Sequence, residues 1–424
     1  MAEHVFTGFG FGPIQSGLFV AEAFRSGNFS RIVVAEIDGR LVDAIRRNEG
    51  RYYVNIAGHD GIDTVEISGV ELLNPNIRTD RAELVSALGA STEVATCLPS
   101  VNTYDAGDDS SIAALLAEGL GSDVAPATII YAAENNNRAA ENLERAVAGR
   151  QAGRPARRIQ YLNTVIGKMS QVVADTGVIG ELGLRTIAPE IDRAFLVEQF
   201  NRILVSRTAI EDFRPGIDVF IEKDDLLPFE EAKLYGHNAI HALLAFVAAL
   251  KGYKRMTQLK RDRQVMRLGR DAFIQESGAA LIRKYESLDD ELFTEAGYTD
   301  YADDLLERMT NPYLADTVAR ASRDVVRKLS FDDRIFGTMR LAVEAGIEPR
   351  SMAVGALAGL SVLLRQADEY GLPAQLRSEN WRGLDEGRIR AILGWLWSEQ
   401  EPGESRELAP FVCDARDILS RILG

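Results

Sequence analysis

Residues 8–17 read Gly8-Phe-Gly10-Phe-Gly12-Pro-Ile-Gln15-Ser-Gly17. A short apolar run, His4–Phe9, leads into them, and Ile14–Arg25, with apolar residues at helical spacing, leads out. A strand, a glycine turn and a helix in that order let the backbone approach a pyrophosphate, which then rests on the helix N-terminus. The following strand should end in an acidic residue about 20 positions on, placed to bond a ribose 2′-hydroxyl. Arg31–Ile37, RIVVAEI, supplies Glu36, 21 positions beyond Gln15. The pattern implies a dinucleotide site that uses Gly10, Gly12, Gln15 and Glu36. A carboxylate at Glu36 accepts from two hydroxyls and repels a 2′-phosphate, so NAD is expected in preference to NADP. Gln15 stands where the fingerprint has its third glycine, a position that governs helix–strand packing more than phosphate contact.

Outward from this turn, Arg31–Ile37 is β-branched and nearly continuously apolar, as a strand buried on both faces should be. Glu93–Leu98 and Ala127–Ala133 repeat that character, each followed by a polar turn and a helical pattern. Strands alternating with helices imply a parallel sheet with right-handed crossovers. Tyr52–Leu73 reads as a few short strands in an excursion from that sheet. The basic stretch Gly149–Arg158 separates this region from Arg158–Val173 and Ile187–Ile221, which read as mixed strand and loop. From about Leu227 proline becomes sparse and helical periodicity dominates, through Ala239–Leu250, Lys260–Tyr285, Ala315–Leu329, Ile335–Ala345 and Ala353–Gly424. The expected fold is an α/β N-terminal Rossmann-type domain with a parallel sheet over residues 1–210, followed by an all-α domain over residues 211–424.

Composition narrows the function classes. The 424 residues are 46% hydrophobic and 26% charged, enough for sizeable buried cores. A net charge of −15 opposes non-specific binding to polyphosphate, so nucleic acid is not an expected partner. The longest apolar runs, Ala242–Leu250 and Met352–Leu364, fall short of the roughly 20 residues that span a bilayer. No basic region followed by an apolar stretch opens the chain, so a cytoplasmic location without membrane attachment is expected. Two cysteines, Cys97 and Cys413, make neither a disulfide framework nor a Cys-rich zinc site.

Of four histidines, two lie in Lys233-Leu-Tyr-Gly-His237-Asn238-Ala-Ile-His241, at the opening of an apolar helix, with start signals at Asp224, Asp225 and Pro228. At α-helical spacing, Glu230, Lys233, His237, Asn238 and His241 fall within an arc of about 140°. A lysine beside histidines at the mouth of a buried helix is costly to keep without a task. Three readings compete: a zinc pair His237/His241, which lacks an evident third ligand; core histidines with a snorkelling lysine; and metal-free alcohol oxidation. In the last, a lysine of lowered pKa takes the hydroxyl proton while an asparagine amide holds the oxygen.

The array Lys233-x4-Asn238-x2-His241 resembles the motif of the polyol-specific long-chain dehydrogenases, the mannitol dehydrogenase family. Three further segments resemble its mannitol-1-phosphate 5-dehydrogenase branch: Ala132-Ala-Glu134-Asn135, Glu276–Tyr285, and Asn311–Arg320 running on to Arg327–Arg334. The resemblance spans nearly the whole chain in order. It implies a metal-independent, NAD-dependent oxidoreductase that interconverts a hexitol phosphate and its ketose phosphate. It also implies roles: Lys233 as general base or acid, Asn135 and Asn238 as amides on the reacting oxygen, His241 as the residue orienting substrate, and Glu230 as a proton relay. Asn135 would then also lie beside the cofactor, at the carboxyl end of a parallel strand and facing the same crevice as Glu36 and Lys233.

The chain departs from the family pattern at Gly167-Lys168-Met169-Ser170-Gln171, where relatives carry an Asp-Arg pair and a proline, and in the extra basic segment 149–158. These departures keep open the same chemistry on a free polyol, a sugar acid or an opine-like conjugate, and a non-catalytic NAD- or sugar-binding protein of the same fold. A second basic run, Lys251–Arg270, reads either as a solvated helix face or as a receiver of a substrate phosphate. The sequence does not indicate an oligomeric state.

Overall fold

The structure, a computed structural model, describes residues 4–121, 126–151, 157–398 and 402–424. The chain divides into two compact units, Met1–Leu227 and Pro228–Gly424.

The strands of the first unit are β1 (His4–Phe9), β2 (Phe29–Ala35), β3 (Tyr52–Ala57), β4 (Ile62–Ile67), β5 (Val70–Leu73), β6 (Glu93–Thr96), β7 (Thr128–Ala132), β8 (Ile159–Val165), β9 (Ser170–Val173), β10 (Ala194–Glu198), β11 (Ile203–Ser206) and β12 (Phe220–Lys223). Eight form the main sheet in the order β12-β11-β8-β7-β6-β1-β2-β5. Every pairing from β5 across to β8 is parallel, and β11 joins β8 antiparallel. Chain order runs one way through β1, β2 and β5 and the other way through β6, β7 and β8. The reversal lies between β1 and β6, and ligands of such sheets bind outside the carboxyl ends of the strands at that point.

Alternation along the strands fills both faces. Ile32 and Val34 of β2 join one core with Leu18, Phe19 and Ile45, while Val33 and Ala35 join another with Leu84, Leu88 and Leu116. A strand covered on both faces needs apolar residues at every position, which accounts for the continuous run in β2.

Two details differ from the expected layout. Within Tyr52–Leu73, β3 and β4 do leave the main sheet, forming a second sheet of order β4-β3-β10-β9, but β5 returns as the main sheet's edge, Val70 pairing with Ile32. Val70 and Leu72 bury into the same core as Ile32 and Val34, which gives so short a strand its place. The first unit also continues past residue 210, because β12 still pairs with β11. Of the basic stretch 149–158, residues 152–156 lie outside the described residues. Arg150 pairs with Asp105 at 2.7 Å, and buried Arg157 donates to the carbonyls of Leu88, Gly89 and Ser91. Those contacts fasten a sheet corner.

Among its described residues the second unit is built of helices joined by loops, with one isolated β-bridge between Arg255 and Thr317. Helix Arg350–Arg365 packs on Ala239–Leu250 through glycines: a Cβ on Gly355 would stand 2.8 Å from Leu243 Cγ, and one on Gly359 3.0 Å from Phe246 Cε2. Two stretches, Ala232–Asn238 and Ala272–Gly278, are π-helical. They meet around Phe273 and Tyr298, where a Cβ on Gly236 would lie 2.7 Å from Phe273 Cε2 and 2.8 Å from the Tyr298 hydroxyl. A Cβ on Gly278 would lie 2.6 Å from Tyr298 Cδ1 and 3.0 Å from the Phe273 carbonyl oxygen. Gly278→Ala should therefore destabilise this unit by about 1–3 kcal/mol, the usual cost of overpacking. Denaturant unfolding checks this, and an unchanged midpoint would contradict it. Among the described residues no helix is long and apolar enough to cross a membrane.

Candidate active site

Strand β1 delivers Gly8–Gly12 to the carboxyl edge of the sheet, beside the order reversal. Gly10 has φ +80, and its N–H donates to the Ala35 carbonyl at 2.9 Å. A Cβ there would sit 3.0 Å from the Cys97 carbonyl oxygen, so both the dihedral and the space require glycine. At Gly12 an added Cβ would meet nothing within 4 Å, leaving the open cradle that a pyrophosphate needs. Glu36 follows β2 directly, and its carboxylate accepts the backbone N–H of Phe11 and of Asp38, each at 2.8 Å. Glu36 thus holds the glycine turn and keeps lone pairs for a ribose diol. These residues fit a dinucleotide.

Gln15 is different in kind. It is fully buried at the start of a π-helical stretch, Gln15–Val20, and its Nε2 lies where a Cβ on Gly8 would be 2.0 Å away. Among the described residues neither side-chain amide atom has a hydrogen-bond partner. Gln15 therefore lies beneath the turn against β1, and Gly8 is small because Gln15 fills its space.

Asn135 is exposed, three residues beyond the end of β7, so it and Glu36 both follow carboxyl ends of parallel strands in the first unit. Its neighbour Glu134 is buried and accepts from Leu98 N at 2.9 Å, Thr96 Oγ1 at 3.0 Å and the Tyr104 hydroxyl. Burial pushes the Glu134 carboxyl up. Glu134 ties the ends of β6 and β7 together and so sets the backbone from which Asn135 projects. Of the departure at 167–171, Lys168 is buried and donates to the Phe200 carbonyl at 2.8 Å and Asn201 Oδ1 at 2.9 Å.

In the second unit the helix bearing Lys233 starts where Asp225 accepts Leu227 N at 2.9 Å, then winds as a π-helix over Ala232–Asn238. This departs from the expected uniform α spacing. In an α-helix Lys233 and Asn238 would stand roughly 140° apart, whereas the wider winding of a π turn, with its i→i+5 hydrogen bonds, draws residues five apart toward the same face. The wider turn is accompanied by the crowding at Gly236, while the Thr338 hydroxyl donates to its own helix at the Arg334 carbonyl, 2.6 Å away.

Burial pulls the Lys233 ammonium down to about 8, with Glu230 pulling it back up and Arg334 lowering it further. His237 is buried, and desolvation, then Arg308, His241 and Lys233, hold it well below the usual imidazole range. These mutual influences place Glu230, Lys233, His237, His241, Arg308 and Arg334 in one neighbourhood. A second buried lysine, Lys328, is lowered to about 7 by desolvation. Its Nζ donates to the Ala321 carbonyl at 2.6 Å, and the residue is only 6% exposed. Among the described residues, no group of three or more His, Cys, Asp or Glu side chains is arranged to hold a metal ion.

The residue that sequence reasoning passed over is Asp316, within the segment Asn311–Arg320. It is 4% exposed and holds His241 Nε2 at 2.9 Å on one oxygen and Arg320 Nε at 2.9 Å on the other. Arg320 lies within the same segment, but the histidine lies 75 residues away in sequence. The basic run 251–270 is partly neutralised: Lys251 pairs with Asp262 at 2.6 Å, Arg270 with Asp303 at 2.6 Å, and Arg267 with Asp271 at 3.7 Å.

Residues 225–393 match the mannitol dehydrogenase C-terminal domain family. Mannitol-1-phosphate 5-dehydrogenase of Buchnera aphidicola subsp. Acyrthosiphon pisum (strain Tuc7) is 26% identical over 82% of this chain and 83% of its own length. Among solved structures, a D-sorbitol dehydrogenase in substrate-free form superposes with a TM-score of 0.77 at 15% identity, covering 99% of this chain and 93% of that one. A Pseudomonas fluorescens mannitol 2-dehydrogenase, in a ternary complex with NAD and D-mannitol, gives 0.68 at 16% identity, covering 99% and 94%. These two likenesses show the fold.

Proposed function

We propose that the chain is a member of the mannitol dehydrogenase family, an NAD-dependent polyol dehydrogenase acting on a CH–OH group, and that its substrate is a hexitol phosphate related to mannitol 1-phosphate. The match of residues 225–393 and the likeness to mannitol-1-phosphate 5-dehydrogenases support this reading. The observation that supports the catalytic part is the π turn 232–238, whose wider winding draws Lys233 and Asn238 toward one face of the helix.

In this reading Gly10, Gly12 and Glu36 hold NAD, which supplies the hydride acceptor when bound. Lys233 removes the hydroxyl proton as the carbinol carbon becomes a carbonyl. Asn238, together with Asn135, donates to the oxygen on which charge gathers. Glu230, one helical turn before Lys233, passes the proton onward, and His241 orients a neighbouring substrate hydroxyl. No metal is needed to polarise that hydroxyl, and chelator treatment is expected to leave the rate unchanged. Zinc-restored activity after chelation would instead make His237 and His241 ligands.

A free polyol is the second reading, and one observation favours it. Arg334, which acts on Lys233, and Arg308, which acts on His237, each meet a carboxylate, Asp333 at 2.6 Å and Asp304 at 3.0 Å. A phosphate at this end would have to compete with those acids. Rates with mannitol 1-phosphate and with mannitol, measured side by side, separate the two.

The lysine fixes the pH dependence. Its neutral form is the base and its fraction grows as pH rises through about 8. kcat/KM for alcohol oxidation should therefore rise through that range and level off above it. Ketose reduction needs the ammonium and should fall over the same interval. Initial rates in both directions from pH 6 to 10 check this, at about one-unit steps. Parallel profiles in the two directions would contradict a single lysine acid–base group.

A further inference from the structure

We propose that Asp316 is a positioning residue that fixes the tautomer of His241, so that the imidazole offers Nδ1 as a hydrogen-bond acceptor to a substrate hydroxyl. The inference rests on the polyol reading above for its substrate, but its structural half stands alone.

A carboxylate only accepts hydrogen bonds, so the 2.9 Å contact between Asp316 Oδ2 and His241 Nε2 requires the proton on Nε2. Whenever the ring is neutral, Nδ1 is then a lone pair. Among the described residues Nδ1 makes no hydrogen bond, and the side chain keeps 19% of its surface exposed, so that lone pair is available to a ligand. An alcohol whose hydroxyl must be held without being ionised is suited to such an acceptor.

Asp316 is itself held on several sides. Ala315, just before it, has φ 52, a left-handed conformation. The Asp316 carbonyl accepts Met256 N at 3.0 Å, and Thr317 bridges to Arg255. Arg320 Nε occupies Oδ1 at 2.9 Å. Desolvation raises the carboxyl, but its bonds and charges with His241 and Arg320 outweigh it and bring it to about 2, so it stays ionised across the working range. Arg320 also makes the arrangement testable. In Asp316→Asn the guanidinium still needs an oxygen and holds Oδ1. The amide NH2 then faces His241 Nε2, which must accept, and the ring proton moves to Nδ1.

The test uses the full-length protein, labelled with 15N in its four histidine rings. The His241 resonance is assigned by its loss in His241→Gln. The wild type should carry its proton on Nε2, and Asp316→Asn should carry it on Nδ1. In the same samples, Asp316→Asn should lower kcat/KM for the polyol at least tenfold, mainly through KM, with KM for NAD changed less than twofold. A role confined to folding would lower every rate in step with the folded fraction and leave the tautomer of folded molecules unchanged. A wild-type His241 protonated on Nδ1 alone overturns the proposal, even if the variant fails to fold. So does a polyol KM unmoved by Asp316→Asn. If the wild type turns over no polyol, the activity reading fails, and the two tautomers still decide the Asp316–His241 assignment.

Discussion

Lys233→Ala is expected to lower kcat by about 10²-fold or more, the scale on which a general acid–base group contributes. NADH affinity should stay nearly intact, because the glycine turn and Glu36 belong to the first unit. The size of the effect follows from how the amine is held. An exposed lysine is almost wholly protonated at neutral pH and is a poor base. Burial brings Lys233 to about 8, close to where a base is most useful, and Glu230 keeps the descent from going further. Lys233→Met should behave as Lys233→Ala does, since the role is chemical and not steric. Steady-state rates with saturating NAD, together with NADH binding by fluorescence, separate the two effects. A fully active alanine variant would leave the family resemblance standing and remove the base.

The second large effect concerns the choice of nucleotide. Hydrogen bonds to a charged group are worth about 1.5–3 kcal/mol each. NADP keeps the 3′-hydroxyl but replaces the 2′-hydroxyl bond to Glu36 with a phosphate that the carboxylate repels, so NAD should be preferred by about 10-fold or more in kcat/KM. Glu36 also accepts Phe11 N and Asp38 N. Glu36→Gln should consequently cut the rate with NAD, because one of those N–H groups loses its acceptor, while the ratio of NAD to NADP collapses toward one. Equal or better kcat/KM with NADP in the unaltered protein would contradict the assignment of Glu36.

The nucleotide half of the chain was legible because its signals are local. Gly10, Gly12 and Glu36 sit within one strand–helix–strand unit whose geometry fixes their spacing, and continuous apolar runs marked β2, β6 and β7 as two-faced. Strand β5 was harder to place. It has four residues, and only its partner Ile32–Ala35 assigns it to the main sheet. The lysine helix could be found, but its winding could not. Sequence spacing was read at the α period, while the crowding of Gly236 against Phe273 and Tyr298 that accompanies the wider turn comes from segments far along the chain. Glu134 and Asp316 illustrate the same limit. Each stood in a recognised segment, yet their partners, Thr96 and Leu98 for one and His241 for the other, are supplied by neighbours that only folding brings near.

The most direct test of the central claim is NADH formation by the intact protein over a panel of hexitol phosphates, free hexitols and sugar acids, with Lys233→Ala run in parallel. The account predicts NADH from at least one polyol or polyol phosphate with the unaltered protein, and a rate about two orders of magnitude lower with the variant. NAD binding without NADH formation from any polyol would contradict it, as would equal rates in the two proteins.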